Sequence, residues 1–155
     1  MKKVFVLILG MFAITTQAED FDKRQVLTLT ESQRAHIHEE MRALLTGTQK
    51  ILFSLSEEDM TAVAQHAQSL GTHMAHKAED HLKRVLPEKF MQLGMSVHRD
   101  FDQIAMDAES LKDSKHTLRQ LSESMNKCVV CHAAYQIQTT QQLLKRNLEP
   151  DLHAH

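Results

Sequence analysis

The chain has 155 residues, with 42% apolar and 25% charged side chains and 18 basic against 20 acidic residues. This length suits one domain, and a slightly acidic chain without a basic patch argues against nucleic acid as a partner. Four Gly, two Pro and no Trp favour an all-α chain over a loop-rich or sheet-rich one.

The first 18 residues read as a secretory signal peptide. Lys2-Lys3 is a basic start, Val4 to Ile14 is apolar, and Thr16-Gln17-Ala18 ends on a small residue. The apolar run is too short to span a bilayer comfortably. No cysteine follows it to carry a lipid anchor, and no later run is long enough to cross a membrane. The expectation is an exported, periplasmic protein of residues 19–155. Without Lys2 and Lys3 the mature chain has 16 basic against 20 acidic residues.

Glu19 to Leu29 shows no clear period and is expected to wrap the outside. Thr30-Glu31-Ser32-Gln33 has capping-box spacing. The helix after it carries Ile37, Met41, Leu44, Leu45, Ile51, Leu52 and Leu55 on one stripe. Ser56 is the expected cap of a second helix, whose stripe is Met60, Val63, Ala64, Ala67, Leu70 and Met74. Ala75 to Val85 either continues it or forms a short separate turn.

Pro87 suits the first position of a third helix, with Phe90, Leu93, Gly94, Val97, Phe101, Ile104, Ala105 and Ala108 inward. Asp113-Ser114 opens a fourth. Leu118, Leu121, Met125, Cys128, Val129, His132 and Tyr135 share a broad face, and the helix is expected to run on through Leu144. Pro150 and Asp151 end it, leaving a loose tail. Four amphipathic helices with short connections predict an up-down-up-down four-helix bundle, with no strand.

The fourth helix carries Cys128-Val129-Val130-Cys131-His132, the C-x-x-C-H attachment sequence of a c-type haem. Two thiols three residues apart lie on one helix face, so both reach one porphyrin edge. His132, four residues after Cys128, can hold the iron. A redox C-x-x-C has no need of the histidine, and a zinc site needs two more ligands at matching spacing.

A methionine on the iron's other side must lie upstream, because no Met follows His132. His132 stands 17 residues after Lys115, and Met41 stands 14 before Leu55. On antiparallel neighbouring helices their heights differ by about three residues, roughly 4.5 Å. Met41 is therefore the first choice, with Met74, Met91 and Met95 near the same level. Plain core packing is the commonest role of such a Met. Arg42 could pair with a haem propionate or could be a solvated surface charge.

Most other histidines (His36, His38, His66, His73, His76, His81, His116) fall on polar faces. His73 and His76 are three apart but have no third ligand. His98 lies beside the Val97 stripe, as a structural histidine or at the edge of the haem pocket.

With its signal peptide, four helical patterns and C-x-x-C-H on the last helix, followed by Tyr135, the chain resembles the cytochrome c-prime superfamily. The resemblance implies one haem c, with thioethers to Cys128 and Cys131 and His132 as the fifth ligand. Met41 matches the branch that places a first-helix Met on the iron and carries electrons. The other branch leaves the iron five-coordinate and binds nitric oxide or carbon monoxide. Gln136 stands where many gas-binding members have Arg or Lys. The tail after the motif is longer than usual. The expectation is an electron carrier, not an enzyme, serving redox partner proteins, with a homodimer as an option the resemblance allows. A haem peroxidase would need a distal acid–base pair over an open iron, and no compelling His-plus-Arg pair stands at that height.

Overall fold

The computed structural model describes residues 22–75 and 82–148. The expected signal peptide, His76, His81 and the expected C-terminal tail lie outside these residues. The described chain is mostly helical.

Strand β1 (Gln25–Leu29) leads into α1 (Glu31–Ser56). The capping box forms as the sequence indicates. Thr30 Oγ1 accepts from the Gln33 amide at 3.2 Å, and the Gln33 side chain accepts from the Thr30 amide at 3.0 Å. Helix α2 (Met60–Gln68) is capped by Asp59, which accepts from the Ala62 amide at 2.9 Å. The expected cap, Ser56, instead ends α1 and donates its hydroxyl back to the Phe53 carbonyl at 2.6 Å. Glu58, with φ of 56°, makes the intervening reversal.

Helix α3 (Thr72–Ala75) is a single turn after Gly71. The Thr72 amide donates to Asp102 Oδ2 at 3.1 Å, and the Asp102 carboxylate lies where a Cβ on Gly71 would sit. A side chain at position 71 would have to displace the Asp102 carboxylate from this bond. Helix α4 (Glu88–Ser110) follows Pro87, which is its N-cap rather than its first residue. Helix α5 (Ser114–Ala134) is capped by Asp113, which accepts from the amides of Lys115 and His116 at 2.9 and 3.0 Å.

The fourth helix does not run on to Leu144. It stops at Ala134, β2 (Tyr135–Thr139) follows, and α6 (Thr140–Leu148) comes after it. β2 pairs in parallel with β1, Gln25 opposite Tyr135 and Leu29 opposite Thr139. The expectation of no strand is thus corrected at both ends of the described chain. A second capping box starts α6. The Thr139 amide donates to Gln142 Oε1 at 2.9 Å, and the Gln142 amide donates to Thr139 Oγ1 at 3.3 Å.

Helices pack in chain order, α1 on α2, α2 on α4 and α4 on α5, while close packing between α1 and α5 is slight. Two apolar clusters result. The larger joins Ile51 and Leu55 of α1, Val63 and Ala67 of α2, Phe101, Ile104 and Ala108 of α4, and Leu121 of α5. The smaller joins Leu27 and Leu29 of β1 to Ile37, Leu82 and Leu86, with Phe90, Tyr135 and Ile137 against it. Phe90 and Tyr135 meet edge to face, with ring centroids 5.3 Å apart. Leu118, Met125 and Val129, expected on one broad face of this helix, are exposed, where α1 packs only slightly on α5. No helix among the described residues is long and apolar enough to cross a membrane.

Candidate haem site

The C-x-x-C-H stretch forms the last turns of α5, immediately before β2. Cys131 and His132 open into a cavity of about 400 Å³, within the few-hundred to ~1,000 Å³ range of cofactor sites. Met41 of α1 lines the same cavity, with Met91 and Met95 of α4, and so do Tyr135, Gln136 and Ile137 of β2. The first and last long helices therefore meet around a hollow rather than by direct packing.

Both cysteines are free thiols, Cys128 exposed and Cys131 half-buried. The Cys128 thiol faces the Ser124 carbonyl oxygen, with sulfur and oxygen 3.7 Å apart. Burial pushes both thiols above their ordinary value. The charge of Asp100 adds to this at Cys128, and Cys128 itself does so at Cys131. A reactive redox dithiol needs the opposite environment, one that favours thiolate. Among the described residues, no three or more His, Cys, Asp or Glu side chains gather as a metal centre of those ligands would require.

Met41 is 37% exposed, so it is not simply core filler. Of its rivals, Met91 and Met95 share the cavity, while Met74 lines a separate hollow between α1 and α2. Arg42 lines that second hollow too, with Lys50 and His66, and is not brought to the cavity. The cavity-facing side of α1 carries Ile37, His38, Glu40 and Met41, and Arg42, about 100° beyond Met41, falls outside it. His73 is exposed, and its expected companion His76 is outside the described residues.

A different cation reaches the cavity. Arg24, just ahead of β1, lines it and donates through Nη1 to the His132 carbonyl at 3.4 Å. Its Nε and Nη2 donate to Asp22 at 2.9 and 2.5 Å. The bonds to Arg24 hold the Asp22 carboxyl down at about 2. Arg24 escaped the sequence reading because only strand pairing across most of the chain brings it to His132. The available signals were period-two patterns. Leu27 and Leu29 are buried while Val26 and Thr28 are exposed, and Tyr135 to Thr139 alternates aromatic or branched residues with glutamine.

Comparison of the chain with protein-family models, with curated proteins and with solved structures finds no match.

The cavity wall suits a haem c chemically. It offers a thiol beside an imidazole, thioether sulfurs on facing elements, mostly apolar lining and one guanidinium. The second thiol, Cys128, lies one helical turn before Cys131 and His132. His98 and Glu40 complete the wall as a hydrogen-bonded pair at 2.8 Å. His98 is both structural and at the cavity edge, so the two roles open to it from sequence coincide.

Proposed function

We propose that this protein is an exported c-type cytochrome that carries electrons, with one haem held through Cys128 and Cys131 and with His132 and Met41 as axial ligands. One observation supports this most strongly. Cys131, His132 and Met41, on helices that scarcely touch elsewhere, line a single cavity of cofactor size.

Bound there, the haem would supply a one-electron iron couple. The thiols are the attachment points. Cys128 and Cys131 would hold the haem through thioether links, which thiols can supply without an oxidant. His132 and Met41 would hold the iron, and a nitrogen with a thioether sulfur would favour a higher potential than two nitrogens. Leu82, Leu86, Phe90 and Ile137 make the cavity apolar and limit water. Arg24 is the cation available to a propionate, the role expected of Arg42.

Packing in chain order across the short turns Glu57–Asp59 and Leu111–Asp113 supports an up-down-up-down reading of the four long segments. Exposed Val129 and Val130, within the motif, support a docking face for redox partners at the same end. Export to the periplasm follows from residues 1–18.

The test is expression with haem-attachment machinery, then denaturing electrophoresis and haem staining. A stained band at the mature mass is expected, and Cys128→Ser with Cys131→Ser should abolish it. An unstained wild-type band would refute the reading.

A further inference from the structure

His98 is the most deeply buried imidazole among the described residues, at 2% exposed. Its Nδ1 lies 2.7 Å from the Leu70 carbonyl oxygen and its Nε2 lies 2.8 Å from Glu40 Oε1. A carbonyl only accepts, so Nδ1 carries a hydrogen. The contact of Nε2 with a carboxylate oxygen then requires a second proton between them. One side chain on α4 thereby ties α1, through Glu40, to the turn between α2 and α3, through Leu70.

The place on α1 where this tie lands matters. Glu40 immediately precedes Met41. Between Ile37, in the smaller cluster, and Gly47, against Leu70, α1 has no fully buried residue. Close packing with α5 is slight. Among the described residues, the His98 bond is the one side-chain hydrogen bond from the stretch 38–46 to another element. Apolar packing therefore anchors α1 firmly at Ile37 and Gly47, while next to Met41 it adds only the partly buried Leu44, and the polar tie supplies the remaining hold on height and rotation.

We propose that His98 is a positioning residue for the axial methionine, holding α1 through Glu40 so that Met41 faces the cavity. This rests on the haem reading above. Loss of the tie frees that part of α1 to turn or retreat, and the iron loses its sixth ligand while the haem stays attached.

The experiment compares absorption spectra, with and without carbon monoxide, of haem-loaded wild type, His98→Leu, His98→Gln and Ile104→Ala. Glutamine keeps a donor for Glu40. Ile104→Ala destabilises the larger cluster without touching the tie, so it controls for general loosening. Wild type, H98Q and I104A should remain low-spin and indifferent to carbon monoxide. His98→Leu should stain for haem yet bind carbon monoxide at least about tenfold more readily, the scale of one lost charged hydrogen bond. A His98→Leu spectrum like that of wild type, or an equal opening in I104A, would overturn the inference alone. A wild type without covalent haem would overturn the haem reading and this inference with it.

Discussion

The two ends of the molecule solve the packing problem differently. At one end Ile51, Val63, Ile104 and Ala108 are fully buried, and the helices close on each other. At the other, β1 and β2 hold the helix ends together around a cavity, and both His132 and Met41 keep solvent exposure. The filled end behaves as a scaffold. The hollow end carries the sulfur and nitrogen side chains proposed as ligands. A chain whose purpose was stability alone would fill both ends, since unfilled space costs contacts on every wall. The contrast teaches that this fold keeps a lined hollow where Cys131, His132 and three methionines converge.

The largest effect that sharpens this contrast falls on the hollow end. Cys128→Ser with Cys131→Ser should remove covalent haem completely while leaving the larger cluster intact, read by haem staining and by far-ultraviolet circular dichroism. The filled end should respond in the opposite sense. Ile104→Ala should cost about 2–5 kcal/mol in denaturant unfolding, the range for a buried aliphatic truncation. Haem attachment in the surviving fold should be unaffected. Equal loss of haem in both variants would erase the distinction.

Smaller effects follow. Asp113→Ala removes the acceptor of two amides at the start of α5 and should cost about 1 kcal/mol. Acid should act through Asp107. Its bond to His116 holds its carboxyl below the ordinary 3.8, burial opposes this, and bonds from Gln103 and Gln120 assist. A carboxyl depressed on folding gives stability present above 3.8, and this is lost as pH falls through the lower folded value. Burial pushes the His98 imidazolium down, but the bonds to Glu40 and the Leu70 carbonyl, with the charges of Glu40 and Asp102, outweigh it and raise its pKa above 6.5. That contribution is complete below 6.5 and is lost as pH rises through the higher folded value. Thermal melts across pH should therefore show an acid limb that Asp107→Asn weakens and an alkaline limb that His98→Gln weakens.

The filled end was legible in the sequence and the hollow end only partly so. Ile51, Leu55, Val63, Phe101 and Ile104 repeat at helical spacing, and local periodicity is what fixes their side. Thr30 and Asp113 announce helix starts through contacts a few residues away. That Cys131 and His132 stand together was legible because their spacing is local, and both line the cavity. β1 and β2 were not, because each is five residues long and its partner lies at the far end of the chain. Arg24 was hidden for the same reason. Arg42 lies away from the cavity because α1 turns its Ile37, His38, Glu40 and Met41 side toward it, and Arg42 falls past that arc. Leu118, Met125 and Val129 form an apolar stripe, but a stripe shows only that a face is apolar, not that a neighbour covers it.

The central claim is that a haem in this cavity has both axial positions filled by the protein. Absorption spectra of the purified holoprotein, oxidised and reduced, with and without carbon monoxide, test it most directly. The account predicts a low-spin spectrum that carbon monoxide leaves unchanged and that Met41→Ala converts to a carbon monoxide-binding, high-spin form. A wild-type spectrum that is high-spin and shifts promptly with carbon monoxide would contradict it and would identify a gas-binding site with an open iron face.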